Sequence, residues 1–356
     1  MNKKVIFWTT TIDELHRNVG NVGGIAVQMN YWSQEFLNNG WKVYSLSRFE
    51  SREKNRIKYL RVYYPRYIRI FLEYILSFVY LLKVRPTIVI TRGADRQLYY
   101  LSLYTSILGI KYIHFSGSDA DFELLGNKMF KKIDNGLYIK GLRRIKYIVV
   151  QNANQEALLR KNHYRSQNIM TIPNIWPDSS SANDVTPKTI DFLWVGNFRD
   201  LKRPKWFVDL AKRNPQYHFT MIGGVSNKSL YDECHKAASE LPNLDFMGSK
   251  SFNEVNEYFT QARCLICTST VEGFPNTFLQ AWSNNIPVLT TFDPSGRVAK
   301  YGLGTFVTDF EQMNSAVPLM FAEKYSIMQE SIKSYFSTNH NVKIRYEELI
   351  KFTRYK

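Results

Sequence analysis

"IDFLWVGNFRDLKRPKWFVDLAKRNPQYHFTMIGG", residues 190 to 224, decides how this chain folds. It opens with an apolar run that ends at Gly196, continues with the helically spaced "PKWFVDLAKRN" behind Pro204, and closes on a second apolar run, "YHFTMIGG". Proline is suited to the first position of a helix, where its missing N–H has no partner to lose. Strand, loop, helix, strand is the repeating unit of a parallel sheet with crossover helices. The alternation continues through "LYDECHKAASEL", "LDFMG", "FNEVNEYFTQA", "RCLICTS", "NTFLQAWSNN" and "IPVLTT".

The same pattern runs through the first half. "KVIFWTT" reads as a strand, "NVGGIA" as a loop, "VQMNYWSQEFLNNG" as a helix stopped by Gly40, and "WKVYSLS" as the next strand. "PTIVITRG", "KYIHFSG" and "KYIVVQN" follow as strands, with "NQEALLRKN" as a helix. Between the halves the text turns polar, with two prolines in "IWPDSSSANDVTPK". The expected organisation is an N-terminal Rossmann-like domain over 1–175, a linker over 176–188, a second domain over 189–335, and a helix over 336–356 that caps the second domain or returns to the first. The fold class is α/β, two doubly wound parallel-sheet domains facing a cleft. Ligands of such sheets bind outside the carboxyl ends of the strands, so the loops after the strands are the candidate site.

The chain has 356 residues, enough for two domains of about 170 each. A hydrophobic share of 44% with 22% charged residues excludes a disordered chain. Cys234, Cys264 and Cys267 make no disulfide framework, which suits a reducing compartment. "CLIC" has redox spacing but lies in an apolar run, so its cysteines read as core. "IRIFLEYILSFVYLLKV", residues 68 to 84, is interrupted by Arg69, Glu73 and Lys83 and falls short of the roughly 20 apolar residues of a membrane span.

Charge is unevenly placed. The chain carries +16; residues 1–175 hold 27 Lys and Arg against 12 Asp and Glu, a net +15, and the rest is near neutral. A field of that sign attracts polyanions or an anionic membrane surface. Residues 48–85 interleave basic with aromatic and aliphatic side chains, the mixture of a helix or loop lying on anionic lipid. Single-stranded nucleic-acid binders share that mixture, but no recognition module is visible, and the expectation is a membrane and no nucleic acid.

In "WVGNFRDLKRP", Arg199, Lys202 and Arg203 precede Pro204, so cations and the amides of a helix start make an anion site, most simply for a diphosphate. In "EGFPNTFLQA", Gly273 and Pro275 fix a turn after a strand, Asn276 or Thr277 caps the following helix, and amides from Phe274 to Thr277 face the cleft. Glu272 beside that turn is placed to accept hydrogen bonds from sugar hydroxyls, with Gln280 one helical turn inside.

At these residues the chain resembles the retaining glycosyltransferases of family 4, also called glycosyl transferases group 1, with the GT-B fold. The resemblance runs over nearly the whole chain and is specific over residues 190–292. It implies that Lys202 binds the donor diphosphate and that Glu272, the first acid of a Glu-x7-Glu motif, contacts the transferred sugar. It further implies that Arg199, Gly196 and Asn197, with Gly273, Phe274, Pro275, Asn276 and Thr277, hold phosphate and sugar. Gly23 and Gly24 match the first-domain glycine loop, and His114, Ser116 and Asp119 fall in its acceptor-side partner. Three positions depart from the family pattern. Gln280 replaces the second glutamate, which accepts from the ribose; an amide keeps one acceptor oxygen and adds donors. Asn197 replaces an arginine, and Ser116 a histidine, with His114 two residues back on the same strand face.

The resulting expectation is transfer of a hexose-type sugar from a nucleotide-diphosphate donor, UDP-sugar ahead of GDP-sugar, to a hydroxyl of a lipid-linked saccharide, with retention. The setting is the inner face of the cell membrane, on a bacterial surface-polysaccharide pathway. No cofactor is expected, and no metal, since no His/Cys cluster at ligand spacing is present. The alternative, motivated by positions 116, 197 and 280, is a non-catalytic nucleotide-sugar or glycan-binding partner.

Overall fold

The computed structural model describes residues 3–17, 23–62, 69–122, 132–161, 168–177, 187–272 and 274–353. Gly273 and residues 178–186 of the expected linker lie outside them. The chain divides into two units, Met1–Ile175 with Val342–Lys356, and Trp176–Asn341.

The first unit begins with β1 (Lys4–Phe7), α1 (Thr11–Arg17), α2 (Gly24–Asn38) and β2 (Lys42–Ser47), then β3 (Arg52–Lys54) and β4 (Ile57–Arg61). It continues with α3 (Arg69–Val84), β5 (Ile88–Arg92), α4 (Gln97–Ile107), β6 (Lys111–Phe115), α5 (Lys132–Leu142), β7 (Tyr147–Val150), α6 (Ala153–Lys161) and β8 (Ile169–Thr171). The strands form one sheet in the order β3-β4-β2-β1-β5-β6-β7-β8, parallel except for the β3–β4 pair. Helices cover both faces, so the inner strands are apolar without alternation. Val5 and Phe7 join the core under α2, while Ile6 joins the core under α4 and α5.

The second unit runs β9 (Ile190–Val195), α7 (Pro204–Arg213), β10 (Phe219–Ile222), α8 (Lys228–Ser239), β11 (Leu244–Gly248), α9 (Phe252–Gln261) and β12 (Ala262–Cys267). After these come α10 (Asn276–Ser283), β13 (Val288–Thr290), α11 (Arg297–Tyr301), β14 (Gly304–Phe306), α12 (Phe310–Ala316) and α13 (Lys324–Asn339). Its sheet is parallel throughout, in the order β11-β10-β9-β12-β13-β14. The chain therefore steps outward from β9 to β11 and returns to the other side of β9 at β12. That reversal is the switch point where open sheets bind ligands. Cys264 and Cys267 lie buried in β12 and Cys234 is buried in α8; burial raises all three thiols above their ordinary range.

Two boundaries differ from the sequence reading. α13 runs past residue 335 to Asn339, and the last helix, α14 (Val342–Phe352), is a separate element. α14 packs on α2: the Trp41 indole donates to the Tyr346 hydroxyl at 2.8 Å and Phe36 meets the Tyr346 ring edge-on at 5.1 Å. The chain passes between units at Ile175 and Trp176. Ile175 is held by paired bonds with the Gln28 amide, both 2.9 Å, and the Trp176 amide donates to the His340 carbonyl at 3.1 Å.

Residues 48–85 also differ. Arg52–Lys54 and Ile57–Arg61 make a hairpin on the sheet edge, burying Ile57 and Tyr59 on alternate positions; residues 63–68 lie outside the described residues. Among its described residues, helix is confined to α3 at the end of the stretch. Among the described residues no helix is long and apolar enough to cross a membrane.

Candidate functional site in the second unit

The loops after β9 and β12 meet at the switch point. The Lys202 ammonium pairs with the Glu272 carboxylate across 70 residues of sequence. The Ser269 hydroxyl donates to the same Glu272 oxygen at 2.7 Å. Beneath the pair the loops are sewn together: the Thr270 amide donates to the Leu201 carbonyl at 2.8 Å and the Thr268 hydroxyl to the Lys202 carbonyl. The cation and acid that the sequence placed in separate motifs are thus in contact.

The three cations before Pro204 diverge. Arg203 takes a left-handed backbone conformation, φ 44°, ahead of α7. Such a conformation is costly for a side chain with a Cβ. Its guanidinium turns inward, donating to the Thr268 carbonyl and the Thr291 hydroxyl, both at 2.7 Å, and stacks over Trp206 at 3.8 Å. Arg203 therefore clamps the ends of β12 and β13 to the β9 loop and does not join an anion site. Arg199 is exposed and reaches the Ser226 hydroxyl at 3.4 Å. Lys202 is left as the cation beside Glu272.

Gly196 and Asn197 sit in a turn pressed against the β10 loop. The Gly196 amide donates to Ile222 and the Phe198 amide to Gly224, both at 3.0 Å. Phe198 is fully buried against Trp194, Tyr231 and Phe246, fixing the turn from below.

Pro275 occupies the cap position of α10, so Asn276 and Thr277 form its first turn instead of capping it. Phe274 is buried, facing His340 and Trp282, and anchors the loop from inside. Gln280 is also buried, and its amide donates to the Asn256 carbonyl oxygen on α9 at 2.9 Å. A glutamate at this position would accept, and Asn256 need only turn its amide to donate. Gln280→Glu should therefore fold, with a melting temperature within about 4 °C of wild type and nucleoside-diphosphate affinity retained; thermal melting with and without UDP checks both.

In the first unit the expected loop residues separate. Ser116 and Asp119 are joined through α6: the Ser116 hydroxyl donates to the Gln155 amide oxygen at 2.6 Å, and Gln155 and Asn154 donate to Asp119 at 2.8 and 2.7 Å. Gly23 precedes α2 with φ −91°, and Gly24 is its first residue. His114 lies on β6, the strand expected for it, but within the core. It is fully buried, one ring nitrogen at 3.0 Å from the Thr91 hydroxyl and the other at 3.2 Å from that of Tyr138. Burial, aided by Arg92, holds its pKa down at about 3. The unfolded chain takes up a proton near pH 6.5 that the folded chain refuses, so stability is present above that pH and is lost as pH falls toward 3, by about 1.4 kcal/mol per unit. Denaturation midpoints at neutral and mildly acid pH should show this slope in wild type and lack its one-proton share in His114→Gln.

The sequence reading missed a cavity of about 700 Å³ at the carboxyl ends of β1 and β5, whose lining among the described residues comes from the first unit. Thr9, Thr10, Glu73, Arg92, Asp95 and Asp121 are among its polar lining. Arg92 donates to Asn174 at 2.6 Å, and its buried Nε has no partner among the described residues. Burial lowers the Arg92 pKa to about 10 and raises that of Asp121. The threonine run after the first strand was the available signal, as was the "TST" that carries Ser269.

Residues 178–301, which contain the Lys202–Glu272 site, match the family model for glycosyl transferases group 1. Two solved structures align over the whole chain: the sucrose-phosphate synthase of Thermosynechococcus elongatus, covering 98% of both chains at TM-score 0.73 and 13% identity, and a glycosyltransferase from Rickettsia africae, covering 100% of both at the same score and identity. The fold is GT-B. Its units are the two parallel-sheet domains expected from the sequence. GT-B architecture alone does not fix a reaction: the UDP-GlcNAc 2-epimerase of Methanocaldococcus jannaschii aligns at TM-score 0.66 and 13% identity over 99% of this chain and 100% of its own. Among curated proteins, the O-antigen biosynthesis glycosyltransferase WbnH and the probable O-antigen biosynthesis glycosyltransferase WbiN, both of Escherichia coli, are each 25% identical over 144 residues. That match spans 39% of this chain and 39% of each relative.

Proposed function

We propose that this protein is a glycosyltransferase of bacterial surface-polysaccharide assembly, moving a sugar from a nucleotide-diphosphate donor to a saccharide hydroxyl with retention of configuration. One observation carries the reading: a lysine and a carboxylate are held in contact outside the carboxyl ends of β9 and β12, at the switch point of a GT-B domain. A diphosphate arriving there displaces the Lys202–Glu272 pair, leaving the ammonium on phosphate and the carboxylate on sugar hydroxyls.

In this account Lys202 and Arg199 neutralise the leaving diphosphate without a metal, the electrostatic role that lowers the barrier most in such sites. Ser269 holds Glu272 in place while it orients the sugar. The turn at Gly196 and Asn197 and the loop from Phe274 to Thr277 border the donor, with Gln280 toward the ribose. The leaving phosphate oxygen takes the proton of the acceptor hydroxyl on the same face of the sugar, so no covalent enzyme intermediate forms. The acceptor is a lipid-linked saccharide at the inner face of the membrane, and the first-unit cavity, with its hydroxyls and carboxylates, suits a polyol.

The test needs no acceptor. Wild type incubated with a panel of UDP-, GDP- and ADP-sugars should slowly release one nucleoside diphosphate, and Glu272→Ala should not. Equal release by both proteins would refute the assignment; tight donor binding with no turnover under any condition would favour a non-catalytic sugar-nucleotide binder.

A further inference from the structure

α3 has two faces with different jobs. Glu73 and Ser77, one turn apart, are buried and line the first-unit cavity. On the opposite side Ile75, Val79 and Leu82 stand 45%, 44% and 44% exposed, with Leu72 and Leu76 half-buried beside them. Spacings of four and three residues place these side chains on one stripe. Single exposed aliphatics are ordinary, but a continuous stripe on a helix of about 24 Å marks an interaction surface.

The stripe continues onto α4. Phe78 packs against Tyr104 at 5.1 Å, so the two helices lie side by side, and Ile107 at the end of α4 is 73% exposed. Cations gather at the same end. Lys83 and Arg85 are exposed, and Lys4 donates to the Val84 carbonyl at 2.8 Å. Lys42 pairs with Lys4 in the sheet register and is exposed. A helix C-terminus favours cations whatever lies outside. The dipole gives no reason for an apolar stripe to lead into them.

We infer that the outer face of α3 docks on an anionic bilayer, with Ile75, Val79 and Leu82 entering the headgroup layer and Lys83 and Arg85 meeting lipid phosphates. Charge argues for lipid over a second copy of the chain: the half carrying this face has a net +15, and two such faces repel. The inference rests on the lipid-linked acceptor proposed above and names the surface that meets the membrane. It also gives α3 a purpose, since its inner face is a cavity wall and docking its outer face brings that cavity to the bilayer.

Sedimentation with vesicles tests it. Wild type should sediment with vesicles of phosphatidylcholine mixed with phosphatidylglycerol, should not with phosphatidylcholine alone, and should be released by salt. The triple variant Ile75→Ser/Val79→Ser/Leu82→Ser should lose at least about tenfold in partitioning, and Lys83→Glu/Arg85→Glu should also weaken it. Unchanged sedimentation of the triple variant overturns the proposal. So does ultracentrifugation showing a wild-type dimer that the triple variant dissolves, without vesicle binding by either. A readout independent of the triple variant's folding is Val79→Cys bearing an environment-sensitive dye, which labels selectively because Cys234, Cys264 and Cys267 are buried. Its emission should shift to the blue on anionic vesicles, and no shift contradicts docking. Donor breakdown without acceptor requires no membrane, so failure of that assay refutes the catalytic reading while failure here refutes only the docking face.

Discussion

Lys202→Ala lowers release of nucleoside diphosphate from the donor by about two to three orders of magnitude, the scale lost when one charge-stabilising donor is removed from a preorganised site. The variant should stay folded. The side chains of Lys202 and Glu272 are 23% and 15% exposed, so removing the lysine leaves a largely buried carboxylate without its cation, at a cost of about 1–3 kcal/mol. Glu272 also keeps its bond from Ser269. Stability and activity therefore separate, and a melting curve beside a product-release assay shows it. Arg199→Ala should cost far less, about tenfold at most, because Arg199 is exposed and weakly held. A Lys202→Ala enzyme with wild-type turnover would remove the lysine from the mechanism.

Gly223→Ala should unfold or distort the second unit. A Cβ there would lie 1.9 Å from the Gly196 carbonyl oxygen and 3.0 Å from its carbon, both backbone atoms with little room to move. The same two loops are joined by the bond from Gly196 to Ile222, and the Gly223 amide is itself spent on Gly248 at 2.9 Å. Relief would have to part β9 from β10 at the lip of the proposed donor site. We expect a loss of about 3 kcal/mol or more, seen as a melting temperature roughly 10 °C lower, together with loss of nucleotide binding. Thermal melting with and without nucleoside diphosphate measures both effects.

Much of this was legible in the sequence because buried parallel strands announce themselves. "VIF", "IVIT", "YIVV" and "FLW" are buried on both faces and needed no partner to be read. The hairpin β3–β4 was hidden because only Ile57 and Tyr59 carry its alternation, amid six charged residues between Arg52 and Arg61. β8 and β14 are three residues each, too short to show a period.

The site was half legible. Lys202 and Glu272 could be named from their loops, but their contact depends on Thr268, Ser269 and Thr270, whose bonds join strands far apart in sequence. Arg203 looked like a third anion ligand because spacing cannot report that its backbone is left-handed and its side chain turned inward. His114 was legible in its strand but not in its surroundings. Strand periodicity put it on the face of Ser116, but the Thr91 and Tyr138 hydroxyls that close over it come from other elements.

The β9 and β12 loops of the second unit are proposed to bind a nucleoside diphosphate through Lys202. Calorimetric titration of wild type and Lys202→Ala with UDP, GDP and ADP addresses it directly. One of the three should bind wild type at one site per chain, and Lys202→Ala should weaken it by at least about tenfold. Binding of none of them, or binding that the Lys202→Ala substitution leaves unchanged, would contradict it.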